Sequence, residues 1–191
     1  MASFTLTWSN TALINNNNVT GVRVEYKQKL AAGNFTVSPP DPLDKSITSK
    51  LITGLLDNVV YQFKIAALCT AGGPTGNDNG TREAIKFACV SPTETHTDIT
   101  ATISVVGLPA DIKSVRFTLG GVTVTKDTAG GSASNIFTGL TPGASYTATI
   151  ELIASVNAQD VASTFGNCFV GVTTTAAAAC SAPTNLTISV S

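Results

Sequence analysis

Along most of the chain, apolar residues alternate with polar ones. Phe4/Leu6/Trp8, Val22/Val24/Tyr26, Tyr61/Phe63/Ile65 and Ile99/Ala101/Ile103/Val105 each put every second side chain on one apolar face. A period of two, enriched in Val, Ile, Thr and aromatic residues and cut by Gly, Asn and Pro clusters, predicts short strands buried on one face. No segment keeps apolar residues at a helical spacing of about 3.6 for the ten or so positions a helix needs. Leu119-Gly-Gly-Val122 joins two strand-like runs, and Gly120-Gly121 suits the positive φ angles of a two-residue hairpin turn. The expected fold class is all-β.

The strand pattern repeats. Leu51-Ile-Thr-Gly54-Leu55 with Tyr61 returns as Ile136-Phe-Thr-Gly139-Leu140 with Tyr146 at one constant spacing. Upstream, Gly21-Val-Arg-Val-Glu-Tyr26 matches Ser114-Val-Arg-Phe-Thr-Leu119, and Phe4-Thr-Leu-Thr-Trp8 matches Ala101-Thr-Ile-Ser-Val105. Downstream, the segment from Cys89 through Pro92-Thr93 matches the one from Cys180 through Pro183-Thr184. Two β-sandwiches of about 90 residues each account for this. The expected division is 1–89 for the first, 90–179 for the second and 180–191 for a C-terminal strand.

Trp8, Tyr26 and the Gly54-Leu55 corner followed by Tyr61 resemble the fibronectin type III pattern, a member of the immunoglobulin-like sandwiches. The second copy departs from it with Val105 and Leu119 in the Trp and Tyr positions, but keeps Gly139-Leu140-Thr-Pro-Gly-Ala-Ser-Tyr146. The resemblance covers nearly the whole chain. It implies that Tyr61 and Tyr146 are structural corner residues whose hydroxyls tie back to nearby backbone.

The two copies are shifted by one strand. Residues 90–99 precede the Ala101 run and supply a first strand, A, to the second sandwich, whereas Met1-Ala2 already abuts the Phe4 run of the first. The tail Cys180-Ser-Ala-Pro183-Thr-Asn-Leu186-Thr-Ile188-Ser-Val190-Ser191 aligns with that strand A segment. The first sandwich is therefore expected to lack its own strand A. Its edge residues Phe4, Leu6 and Trp8 are the expected strand acceptor, and Leu186, Ile188 and Val190 the donor. Stacked sandwiches span roughly 60–80 Å, while about five residues of slack reach under about 18 Å. Donation to another copy, by addition of residues 183–190 to the open edge, is the expected arrangement.

Composition narrows the chemistry. The 191 residues carry 11 Lys+Arg against 12 Asp+Glu, a formal charge of −1, with only 12% charged residues. That supplies no cationic stripe for phosphates, so nucleic acid is not an expected partner. No apolar run reaches the roughly 18 residues of a helical membrane span, and no secretory leader is read at the start, so no membrane partner is expected. The four cysteines, Cys69, Cys89, Cys168 and Cys180, are expected to be thiols packed as small apolar groups.

His96 is the one histidine and has no Cys or carboxylate cluster at ligand spacing. Asp57, Asp78, Glu83 and Glu94 are scattered over different edges and loops. No catalytic residue, metal site or cofactor is therefore assigned. Gly76-Asn-Asp-Asn-Gly80 lacks the spaced acids and closing Glu of a calcium loop and reads as a hairpin loop. Asn15–Asn18 is expected to be a polar loop, and Ser38-Pro-Pro-Asp-Pro42 a stiff solvated insert.

The expected role is non-enzymatic assembly within a large particle. The sandwiches are similar to those of tailed-phage virion proteins, and that resemblance implies an auxiliary capsid or decoration protein that contacts the major capsid or other virion proteins and copies of itself. A tail or fibre module is an alternative within the same setting, with localisation on the virion. An extracellular adhesion or carbohydrate-associated module is the other alternative. It is weakened because Trp8, Tyr26, Tyr61 and Tyr146 all have framework positions.

Overall fold

The computed structural model describes residues 1–70, 73–74, 80–163 and 169–176. The first sandwich contains β1 (Ala2–Thr7), β2 (Val19–Gln28), β3 (Thr36–Val37), β4 (Ser49–Leu55), β5 (Val60–Cys69), β6 (Gly73–Pro74) and β7 (Arg82–Ile85). One sheet is the pair β1-β4; the other runs β3-β2-β5, with β6 and β7 both on β5. The second sandwich contains β8 (Thr93–His96), β9 (Thr100–Val105), β10 (Ile112–Leu119), β11 (Val122–Asp127), β12 (Ala133–Thr138), β13 (Ser145–Val156), β14 (Gln159–Ala162) and β15 (Phe169–Thr173). Its sheets are β12-β9-β8 and β11-β10-β13, with β14 and β15 both on β13. Every strand pairing is antiparallel, so each sheet buries alternate residues, which is the observed pattern in β9 and β12.

The predicted hairpin forms, with Leu119 opposite Val122 and φ angles of 57° at Gly120 and 83° at Gly121. Two cores result. Val22, Val24, Ile52, Leu55, Tyr61 and Phe63 form the first, with Phe4, Leu6 and Trp8 half-buried against it. The Phe4 ring sits 5.2 Å from Phe63 and 6.2 Å from Tyr61. The second centres on Ile103, Ile112, Val115, Phe117, Ile150 and Leu152. Val60 of the first half belongs to this second core, with Ile85 and Phe87 packed on it, so the two sandwiches share an apolar seam.

The corner tyrosines are equivalent. The Leu56 N–H donates to the Tyr61 hydroxyl at 3.1 Å, and the Thr141 N–H donates to the Tyr146 hydroxyl at 2.9 Å. Each bond fixes the corner leading into a long strand, β5 or β13. Tyr61→Phe and Tyr146→Phe should each lower stability by about 1 kcal/mol, the worth of a typical hydrogen bond. Urea titration checks this, and a loss indistinguishable from zero would show the hydroxyls to be idle.

Asn15–Asn18 lie in turns, as expected, and one helical turn, α1 (Thr11–Ile14), precedes them. Asn10 is the reason for that helical turn, because its carbonyl accepts the Leu13 and Ile14 N–H groups while its side-chain amide donates to the Ser46 carbonyl at 2.7 Å. The proline insert is a loop with Pro39, Pro40, Asp41 and Pro42 exposed, as expected. It folds back on β2 through the Val22–Leu43 bridge and an Arg23–Asp41 ion pair at 2.8 Å. Gly21 permits this approach, since a Cβ there would lie 2.7 Å from the Leu43 carbonyl oxygen. One expectation is corrected: Cys89 is disulfide-bonded rather than a thiol.

Candidate interaction site at the edge of the first sandwich

The second sandwich shows how this fold closes. β8 pairs with β9, setting Glu94 opposite Ile103 and His96 opposite Ala101. It also packs beside β15, and just past it the Thr97 carbonyl accepts the Thr175 N–H at 3.3 Å. One strand thus spans the space between the two sheets' edges.

The corresponding space in the first sandwich lies between β1 and β7. Among the described residues no strand pairs with the second edge of β1. A groove of about 410 Å³ runs there instead. Phe4, Leu6 and Trp8 line one wall, Phe63 and Ile65 of β5 form the floor, and Arg82, Glu83 and Ala84 of β7 form the other wall. The structure therefore gathers the three expected acceptor residues on one wall of the groove. Leu186, Ile188 and Val190 lie outside the described residues.

The edge also offers backbone groups. The Trp8 N–H donates to the Thr48 carbonyl at 2.9 Å, on the β4 side. Because successive residues alternate direction in an antiparallel ladder, Thr5 and Thr7 turn their N–H and C=O groups toward the groove. The indole Nε1 of Trp8 is buried and has no hydrogen-bond partner among the described residues. Backbone groups at a free edge are a template for another strand.

Glu83 links the groove to the joint between the sandwiches. Its carboxylate accepts from Lys29 Nζ at 2.9 Å, from the Gln62 amide at 3.1 Å and from the Asn157 backbone N–H at 2.8 Å. The Asn157 side chain closes the cluster: its oxygen accepts the Glu83 N–H at 3.0 Å, and its amide donates to the Glu83 carbonyl at 3.2 Å. Lys29 also reaches the Ser155 carbonyl at 3.1 Å. Burial raises the Glu83 pKa, but the bonds from Lys29, Gln62 and Asn157 outweigh it and hold the group below its ordinary value. Asp111, across the joint, moves the opposite way. Burial raises its pKa, only partly offset by the Val60 N–H and the Lys29 charge.

The joint was not legible in the sequence. Glu83 lies far from both Lys29 and Asn157 along the chain, and no motif connects them. One local sign was the Asn157-Ala158 turn, where both residues take positive φ, 49° and 62°. His96 Nδ1 bonds to Glu94 at 3.0 Å on β8. Among the described residues no three His, Cys, Asp or Glu side chains gather as metal ligands. Most of the Gly76–Gly80 loop lies outside the described residues.

No family model matches this sequence. No curated protein matches it either. Among solved structures it is similar to a two fibronectin type-III domain segment from chicken tenascin, at TM-score 0.51 and 15% identity, over 90% of this chain and 92% of that one. At that identity the likeness speaks for architecture alone: the chain has the fold of two tandem fibronectin-type-III-like β-sandwiches.

Proposed function

We propose that the chain is a non-enzymatic assembly module that joins copies of itself, residues 183–190 of one copy completing the β1 edge of the next. One observation carries the reading: the groove beside Phe4, Leu6 and Trp8 occupies the place that β8 fills in the second sandwich. The tail's Cys180-Ser-Ala-Pro183-Thr184 repeats the Cys89-Val-Ser-Pro92-Thr93 that leads into β8. Beyond it, Leu186, Ile188 and Val190 give one apolar face, matched by Phe4, Leu6, Trp8, Phe63 and Ile65 in a groove that also presents Arg82 and Glu83.

Insertion within one chain does not fit the distances. β13 ends at the joint, where Ser155 and Asn157 meet Lys29 and Glu83, while its start, Ser145, lies opposite Thr173 at the far pole. A twelve-residue strand is about 36–40 Å long. Residues 177–182 reach at most about 20 Å before the donor strand must begin.

A link of this kind suits a particle built from many copies, where effective concentration is high. The proposed setting is a virion, as an auxiliary capsid or decoration protein or a tail or fibre module, beside the major capsid protein. Low surface charge and the absence of any assigned catalytic group support it. The second reading is an extracellular adhesion or binding module. The disulfide at Cys89 favours it, because disulfides persist in oxidising surroundings.

The test is titration of a synthetic peptide, residues 180–191, into the chain lacking residues 181–191. Three buried aliphatic side chains contribute about 1.5–3 kcal/mol each before ordering costs, so binding in the micromolar range is expected. A Leu186→Asp peptide should bind at least about tenfold more weakly, the loss of one such contact. No binding at millimolar peptide, with the full chain monomeric by light scattering, overturns the reading.

A further inference from the structure

We infer that copies join end to end, in one continuing direction, into an open chain rather than a closed pair. This rests on the strand-exchange reading and adds direction and geometry to it. β8 runs antiparallel to β9, and β9 is the counterpart of β1. A strand in the same role beside β1 therefore runs from the Trp8 end toward the Ala2 end.

Both ends can be placed along the molecule. Ala2 pairs with Leu55, next to Asn58 and Val60 at the joint, since the Asn58 N–H donates to the Lys86 carbonyl and Val60 lies in the second core. Trp8, bonded to Thr48, is at the pole remote from the second sandwich. The last described strand before the donor segment ends elsewhere. β15 runs away from the joint, bringing Thr173 opposite Ser145 at the remote pole of the second sandwich.

A segment leaving that pole in the direction of β15 enters a neighbour's groove at its Trp8 end without reversing. The remote pole of one second sandwich thus meets the remote pole of the next first sandwich. With the groove opening at one pole and β15 ending at the other, the contact is heterologous and the assembly extendable. The Lys29–Glu83–Asn157 cluster ties the two sandwiches of one copy together, and Glu83 also stands on the groove wall that the neighbour's strand would meet.

Two single-ended chains test this. Thr7→Pro removes an N–H that faces the groove while leaving the ladder to β4 intact, and it retains the tail. Deletion of residues 181–191 retains the groove. Each alone should be monomeric, and a mixture should form a 1:1 pair. Thr5→Pro serves as a second groove-blocking variant, because its N–H faces the same way. Small-angle scattering of the pair should give a maximum dimension about twice that of the monomer, itself roughly 75 Å for two strand lengths. The full chain should form a concentration-dependent ladder of dimers, trimers and higher species in native mass spectrometry. A pair no longer than the monomer, or a full chain that stops at dimers, overturns end-to-end joining and leaves strand exchange standing. If no 1:1 pair forms and the full chain is monomeric, strand exchange falls as well.

Discussion

Phe117→Ala should destabilise the second sandwich by about 3–5 kcal/mol, the range for emptying a buried phenylalanine site. The side chain is 0% exposed, on β10 between its partners Val124 of β11 and Ile150 of β13. Surrounding strands are held by ladders on both sides, so the cavity cannot collapse freely. Calorimetry should show the melt of the second sandwich falling by well over ten degrees, since about 1 kcal/mol shifts a domain of this size by about 4–8 °C. Val60 and Ile85 pack on the same core, so the first sandwich should lose stability too. Ile136→Ala is the contrast: that residue is 63% exposed and should change stability by no more than about 0.5 kcal/mol. Equal effects at the two positions would contradict the core assignment.

Glu83→Ala should cost about 1–3 kcal/mol, because it leaves Lys29 and the Asn157 N–H without their shared acceptor in a half-buried joint. Scattering should also report a broader range of angles between the sandwiches. Glu83→Gln keeps acceptor and shape and removes only the charge, so its loss should be smaller. The pH dependence has a definite sign. A carboxylate whose pKa is lower folded than unfolded adds stability above its unfolded value, and loses it as pH falls through the folded one. The difference between the natural chain and Glu83→Gln should therefore be constant near neutrality and be lost as pH falls below the ordinary glutamate range. Asp111, with a raised pKa, acts in the opposite sense, its contribution being lost as pH rises through its folded value. Thermal melts of both chains across pH 3–7 check the sign, and a difference that grows toward acid would refute it.

Strand periodicity made the architecture readable, because burial on one face leaves a period of two wherever a sandwich strand occurs. The Gly120-Gly121 turn was equally readable, since the backbone angles there are a local demand. The walls of the groove at Phe4, Leu6 and Trp8 followed from comparing the two copies. Its far wall did not: Arg82 and Ala84 come from a strand whose short sequence has no strong alternation. The joint was hidden for a different reason. Glu83 and Asn157 meet only after both sandwiches have formed, and polar pairs of that kind leave no periodic trace. The docking of the proline insert on β2 was not legible because its anchor, Leu43, stands alone outside any alternating run.

The orientation of β1 has a mechanical meaning. It lies along the long axis of the molecule, from the joint to the remote pole, so tension applied between the two ends acts along it. Ladder hydrogen bonds stand perpendicular to their strands. A strand seated beside β1 would be pulled lengthwise and load all of those bonds together, in shear, rather than peeling them one by one. A contact of modest equilibrium strength at this edge would then resist a steady axial pull, and yield readily to a sideways one.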